Sequence, residues 1–282
     1  MRNIITTGMT AVVLCLGLAA PLAAGPFEDG LAAYSRGDYS TAIELMRPLA
    51  DQGEAAAQDN LGDMYRDGRG VAQDYATAVS WYRKAADQGY ALAQSNLGVM
   101  YLIGLGVSQD YAAALSWLRR AADQGYAGAP SNLGVMYLNG LGVPQDYAAA
   151  LNWFRKAADQ DDPSGQNNLG LTYVNGLGVP QDNAAALSWF RKAADQGNAV
   201  AQLNLGSMYA TGRGVPRDFV SAHMWFNLAA AGGTTDAAHN RDAVAAKMTR
   251  AQVVEAESRA AAWRPSKTAN AFRTLPISPL SR

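Results

Sequence analysis

The sequence predicts an all-α protein, a solenoid of stacked antiparallel helix pairs. Three observations carry that reading. Leu61-Gly62, Leu97-Gly98, Leu133-Gly134, Leu169-Gly170 and Leu205-Gly206 recur at an interval of 36 residues. Trp81, Trp117, Trp153, Trp189 and Trp225 keep the same interval, as do Tyr65, Tyr101, Tyr137, Tyr173 and Tyr209, and Asp74, Asp110, Asp146, Asp182 and Asp218. Between these anchors the apolar residues fall at helical spacing, and a short helical unit buries its apolar face only by stacking on its neighbours.

The chain opens on a targeting segment, residues 1–24. Arg2 is followed by an uncharged apolar run from Met9 to Leu22, with Ala19, Ala20, Ala23 and Ala24 as the small residues a signal peptidase prefers. The run is shorter than the roughly 20 residues a spanning helix needs, so cleavage after Ala24 is expected and no stable membrane insertion thereafter. The solenoid follows over 25–263. Its first unit, 25–53, has a turn at Tyr34-Ser35-Arg36-Gly37-Asp38-Tyr39 five residues shorter than the counterpart from Tyr65 to Tyr75.

Five repeats occupy 54–233, and the unit from Tyr90 to Gly125 shows how each is built. Ala93, Leu97, Met100 and Tyr101 lie along one helix, which Gly104 ends by taking the left-handed conformation. Asp110 suits the N-cap of a second helix, whose apolar stripe is Ala114, Trp117, Leu118, Ala121 and Ala122. Gly98, in mid-helix, costs about 1 kcal/mol relative to Ala. Close approach of the two helices explains it, with the Ala-rich stripe expected opposite and Trp117 filling the space between one pair and the next. Asp236 to Lys247 and Thr249 to Trp263 read as a capping helix pair within 234–263, the second opened by a capping box between Thr249 and Gln252. Residues 264–282, with Pro265, Pro276 and Pro279, read as a disordered tail.

These residues resemble the Sel-one-like repeat, a subclass of the tetratricopeptide superfamily. The resemblance rests on Ala93-Gln94-Ser95-Asn96-Leu97-Gly98, Tyr101, the Gly104-Leu105-Gly106-Val107 loop and the Ala114 to Ala122 helix, and it runs from about Phe27 to Trp263. It implies a right-handed superhelix and adaptor work in assemblies and signalling rather than chemistry.

Composition excludes several functions. The net charge is -1 and charged residues are 17% of the chain, so nothing draws it as a whole to nucleic acid or an anionic membrane. The one cysteine, Cys15, lies in the targeting segment, so the mature chain is expected to hold no disulfide, thiolate or cysteine metal site. His223 and His239 lie in different helices and lack a recognisable catalytic partner. Gly104-x-Gly106 follows a helix and recurs in every repeat, which makes it a turn rather than a phosphate cradle. Asp159, Asp161 and Asp162 begin like a calcium loop, but Pro163 stands where a ligand is wanted. No cofactor, metal or catalytic residue is expected. Arg83-Lys84, Arg119-Arg120, Arg155-Lys156 and Arg191-Lys192, each Arg followed four residues on by an Asp, read as a solvated outer face.

Function then falls to positions that vary between repeats on the first helix of each pair, the concave side in tetratricopeptide-like folds. They are Asp59, Asp63, Arg66 and Asp67, then Val99, Leu102, Ile103, Val135, Leu138, Asn139, Leu171, Val174 and Asn175, with small polar residues Ser207 and Thr211 last. An apolar floor with an acidic N-terminal end would suit a peptide with apolar anchors and a basic end. The alternative is that Val99, Leu102 and their equivalents pack into the core.

The expected function is an exported, periplasmic or secreted, protein-interaction scaffold, in one form a regulator of an envelope signalling or assembly system. Two other readings stand beside it: a cell-wall or β-lactam-acting enzyme, and a secreted effector. Against the enzyme, the relatives linked with that activity staple each repeat with a Cys pair, which this chain lacks. N-terminal sequencing of exported protein should return Gly25 as the first residue; a mature chain beginning at Met1 would overturn the targeting assignment.

Overall fold

A computed structural model describes residues 25–266, all of them helix or short connection. The expected targeting segment 1–24, with Cys15, and residues 267–282 of the expected tail lie outside the described residues. The first pair is α1 (Pro26–Ser35) and α2 (Tyr39–Asp51). Five longer-looped pairs follow: α3 (Ala55–Asp67) with α4 (Tyr75–Asp87), α5 (Ala91–Ile103) with α6 (Tyr111–Asp123), α7 (Gly128–Asn139) with α8 (Tyr147–Asp159), α9 (Pro163–Asn175) with α10 (Asn183–Asp195), and α11 (Ala199–Thr211) with α12 (Phe219–Ala231). The last pair is α13 (Thr235–Ala245) and α14 (Arg250–Ala262). From α1 to α13 each helix packs on the next, while α14 packs back on α12; α7 also touches α5 and α9, so the first helices of successive pairs line the inner side of the stack.

Both ends of the loop within each repeat are set by the residues expected to set them. Gly104 ends α5 at φ 70° and Gly106 sits at φ 71°. A side chain at Gly106 would come within 2.3 Å of the Tyr75 carbonyl, so that glycine also lets the loop lie on the preceding pair. The Asp110 amide returns to the Tyr101 carbonyl at 3.0 Å, and the Asp110 carboxylate accepts the Ala113 amide at 3.0 Å. Asp74, Asp146, Asp182 and Asp218 cap their helices in the same way.

The mid-helix glycines mark the closest approach, and within the expected stripe it is the residue after each Trp, not an alanine side chain, that comes nearest. A Cβ on Gly134 would lie 2.4 Å from Phe154 Cε1, and one on Gly98 would lie 2.8 Å from Leu118 Cγ. Tyr82, Phe190 and Phe226 press in the same way on Gly62, Gly170 and Gly206. The residue after each Trp therefore fills the inside of its own pair. Ala114 and Ala121 flank Leu118 on the same face and pack in one cluster with Ala129, Leu133 and Met136 of the following pair. Small side chains there let consecutive pairs approach over their whole length.

Trp117 lies between pairs as expected, against the cluster of Tyr82, Ala85, Leu97 and Met100. Its outer ring face is covered by Arg120 at 4.7 Å, and Lys84, Lys156 and Lys192 cover Trp81, Trp153 and Trp189 at 3.8, 4.8 and 4.2 Å. The first basic residue of each pair reaches further. Arg119 donates to the Tyr137 hydroxyl of the next repeat at 2.7 Å, Arg155 to Tyr173 at 3.4 Å, and Arg83 and Arg191 to Tyr101 and Tyr209. The basic ladder faces solvent and also ties each repeat to its successor.

Buried carboxamides close the remaining backbone. Gln58, Gln94 and Gln202 donate to the Ala50, Ala86 and Ala194 carbonyls at the end of the preceding second helix, beside the turn amides of Gly53, Gly89 and Gly197 that those carbonyls also accept. At the C-terminus both expected helices form, each packed on α12 rather than closed on one another, with the capping box at Thr249 and Gln252. Trp263 meets Trp225 edge to face at 6.3 Å, standing in for the Trp of a further repeat. Beyond it Ser266 donates its amide to the Asp195 carbonyl at 2.7 Å, so the first residues of the expected tail, 264–266, lie against the solenoid.

Gly134→Ala should destabilise the fold by about 1–3 kcal/mol, although alanine is the better helix former, because Phe154 leaves no room for a methyl group. Urea unfolding checks this, and a variant as stable as the parent would refute the close-contact account.

Candidate protein-binding groove

The inner face changes character along its length. At the N-terminal end Asp63 accepts the Tyr82 hydroxyl at 2.8 Å and pairs with Arg66 at 3.0 Å, and Arg66 Nε reaches Asp67 at 2.7 Å. Asp59 accepts the Asn96 side-chain amide at 2.9 Å from the next repeat. Asp59, Asp63 and Arg66 are buried, so of the four residues expected to form an acidic rim only Asp67 faces solvent. Asp59 instead serves the join to the next repeat, and Asp63 holds its own helix pair together through Tyr82 and Arg66. The hydroxyl of Tyr82 is held well above its ordinary range, first by burial.

Polar contacts between first helices continue along the stack. Asn168 points to Ser131 at 3.4 Å and Asn204 donates to Asn167 at 2.9 Å. In the middle, Val99, Leu102 and Val135 are at most 3% exposed and belong to the core clusters. Ile103 alone of the α5 candidates is exposed, at 42%. Further on, Leu138, Asn139, Leu171 and Val174 are half-buried and Asn175 is exposed.

This difference has a visible cause. Two clefts open between first helices here. One, of about 230 Å³ between α7 and α9, is lined by Leu138, Phe154, Leu171, Thr172 and Leu177, with Asn168 and Asn175 at its polar points. The second, of about 220 Å³ between α9 and α11, is lined by Leu171, Val174, Phe190, Met208, Ser207 and Thr211, with Asn204 and Arg213. Sequence reasoning placed Leu138, Leu171, Val174 and Asn175 here. It missed Thr172, Phe154, Phe190 and Arg213, because the first three sit under the surface and Arg213 lies in a loop. Thr172 had a signal in the sequence all the same: it interrupts the column Met64, Met100, Met136 and Met208.

The fold accounts for the other candidate sites. His223 is buried between α12 and the C-terminal pair, and that burial holds its imidazole below the ordinary range, while His239 is exposed. Asp161 takes a glycine's place at φ 62°, and Asp162 caps α9 by accepting the Gly165 amide at 2.8 Å. Among the described residues no group of three or more His, Cys, Asp or Glu could hold a metal ion, and no helix is long and apolar enough to cross a membrane.

The Sel1 repeat model matches the chain at residues 23–54, 55–90, 91–126, 131–162, 163–198 and 199–234. The chain belongs to the Sel1 repeat family. A Sel1 repeat protein from Oxalobacter formigenes is 35% identical and superposes with a TM-score of 0.64, over 76% of this chain and 85% of that one. A protective antigen present in uropathogenic Escherichia coli strains is 36% identical with a TM-score of 0.63, over 84% of this chain and 52% of the antigen. This chain thus spans about half the length of that relative. The curated proteins contain no match. Sel1 repeat proteins are generally scaffolds for protein interaction, which directs attention to surfaces rather than to reacting groups.

One buried acid gives a test of the join between α8 and α9. Burial pushes the Asp162 carboxyl up to about 6, against the Gly165 and Ser164 amides and the Ser131 hydroxyl, which favour its charged form. A folded-state value above the ordinary 3.8 stabilises the fold at low pH, and that contribution is lost as the pH rises through about 6. Asp162→Asn, which copies Asn198 of the next repeat, should therefore raise stability by about 1–3 kcal/mol near neutral pH and leave it unchanged near pH 4. Thermal unfolding across that range measures it; an equal gain at both ends would show that the charge is not the cause.

Proposed function

We propose that this Sel1 repeat protein is a non-catalytic scaffold of the cell envelope or secreted space that holds a segment of a partner protein on its concave face. The observation that carries the reading is the pair of apolar clefts between α7, α9 and α11. They are open, adjacent and rimmed by polar side chains, the arrangement that gives a protein segment both anchors and orientation. Family membership supports protein binding. The apolar run from Met9 to Leu22 with its small residues supports export. Regulation of an envelope signalling or assembly system is the form of scaffold work that an exported adaptor suits.

The burial of Leu102 matters for the choice of test. A charge there would damage the core whether or not a partner binds. Exposed positions are the informative ones. A photo-reactive amino acid at Ile103 or Asn175 in intact cells should form discrete protein adducts, whereas one at exposed Ser116 on α6 should not. Adducts of equal yield from all three positions, or none from the concave pair, would overturn the concave-face assignment.

A further inference from the structure

The two clefts arise from departures from the repeat, and those departures define what would fill them. Met64, Met100, Met136 and Met208 are all at most 4% exposed and fill the space beneath the concave face. At the equivalent place α9 has Thr172, whose hydroxyl turns back to the Leu169 carbonyl at 2.6 Å. The shorter side chain leaves the cleft of about 230 Å³ against Leu138, Phe154, Leu171 and Leu177. One repeat on, Ser207 stands where Val99, Val135 and Leu171 stand in the three preceding repeats. Its hydroxyl is spent on the Leu203 carbonyl at 3.0 Å, and the cleft of about 220 Å³ opens beside it.

Leu171 is the wall common to both clefts. An apolar cavity of roughly 150 Å³ already takes a benzene ring. Each cleft therefore has room for a branched aliphatic or phenyl side chain. Arg213 stands at the far rim of the second cleft, exposed, and among the described residues it forms no ion pair. A cation beside an apolar slot selects a carboxylate, to which a guanidinium can offer two parallel hydrogen bonds.

We infer that these clefts are a paired anchor site for a peptide segment bearing two apolar side chains, one on each side of Leu171, followed by an acidic residue that meets Arg213. The inference rests on the concave-face reading and narrows it to a ligand of stated chemistry. It also reverses the charge expected from sequence, because Asp59 and Asp63 are buried and the exposed charge at the second cleft is the Arg213 cation.

The probe is a phage-displayed library of random twelve-residue peptides selected on the full chain, with selected peptides synthesised and their affinity measured by fluorescence anisotropy. The expected peptides share two apolar positions and an Asp or Glu. Thr172→Met, which restores the repeat's own residue, should raise the unfolding temperature and weaken binding at least about ten-fold, a combination that misfolding cannot produce. Ser207→Leu should weaken binding similarly. Arg213→Glu should weaken acidic peptides about ten-fold and be rescued when the peptide's acid is changed to Lys.

Selection without that pattern, or peptides that bind Thr172→Met as tightly as the parent, would overturn the paired-anchor site. A dimer seen by light scattering and broken by Thr172→Met would overturn it too, by assigning the clefts to a second copy. Crosslinks from Ile103 and Asn175 that persist alongside peptides indifferent to Thr172→Met would leave the concave-face reading standing and remove only the paired anchor.

Discussion

The contact on which the rest of this solenoid depends is a glycine in each first helix pressed against a large side chain of its partner: Gly62 on Tyr82, Gly98 on Leu118, Gly134 on Phe154, Gly170 on Phe190 and Gly206 on Phe226. A thirteen-residue helix such as α5 or α6 is too short to be stable alone in water. It persists because its apolar face is covered, and the glycine lets a large side chain reach the backbone where a methyl group would hold it off. The helix-propensity cost of that glycine is about 1 kcal/mol, while full burial of the opposing side chain contributes roughly 1.5–3 kcal/mol. With the pair closed in this way, the alanine stripe of the second helix is free to face the next pair.

Stacking of pairs is then a shared task. Alanine, methionine and leucine fill the interior of each join, and the Trp of each second helix seals its edge under a basic side chain. Polar groups add direction. Arg119 to Tyr137 and Gln94 to Ala86 each span a join at one place only, so a slipped register would break both and leave the buried Gln94 amide unmatched. Because each pair touches little beyond its neighbours, such terms add nearly independently along the chain. The C-terminal end repeats the device with different residues, Trp263 covering Trp225 before the chain turns back to Asp195.

The same locality lets one face carry function without loss of the fold. A repeat can give up a core side chain when its own glycine contact and its joins remain. That is the situation at Thr172 and Ser207, where space is left open on the concave side while Phe154 and Phe190 stay buried below. The N-terminal repeats go the other way. There Asp63 pairs with Arg66 and Tyr82 and Asp59 takes Asn96 of the next repeat, and the face they might have offered as charge becomes structure.

The sequence by itself determined the period, the helix boundaries, the capping Asp and Gly residues and the terminal capping box, because each is a local matter of spacing and backbone conformation repeated often enough to be read. Family and fold followed from that. What only the tertiary structure decided was direction: which face of α6 meets its own partner and which meets the next pair, that the first Arg of each basic pair crosses to a tyrosine eighteen residues on, and which variable positions of the concave side are open. A shift of one residue in helical phase turns a side chain by about 100°. That angle separates buried Leu102 from exposed Ile103, and no pattern within one helix reports it. Thr172 was visible as a broken column, but that the break leaves a cleft follows only from how Leu138, Phe154 and Leu171 surround it.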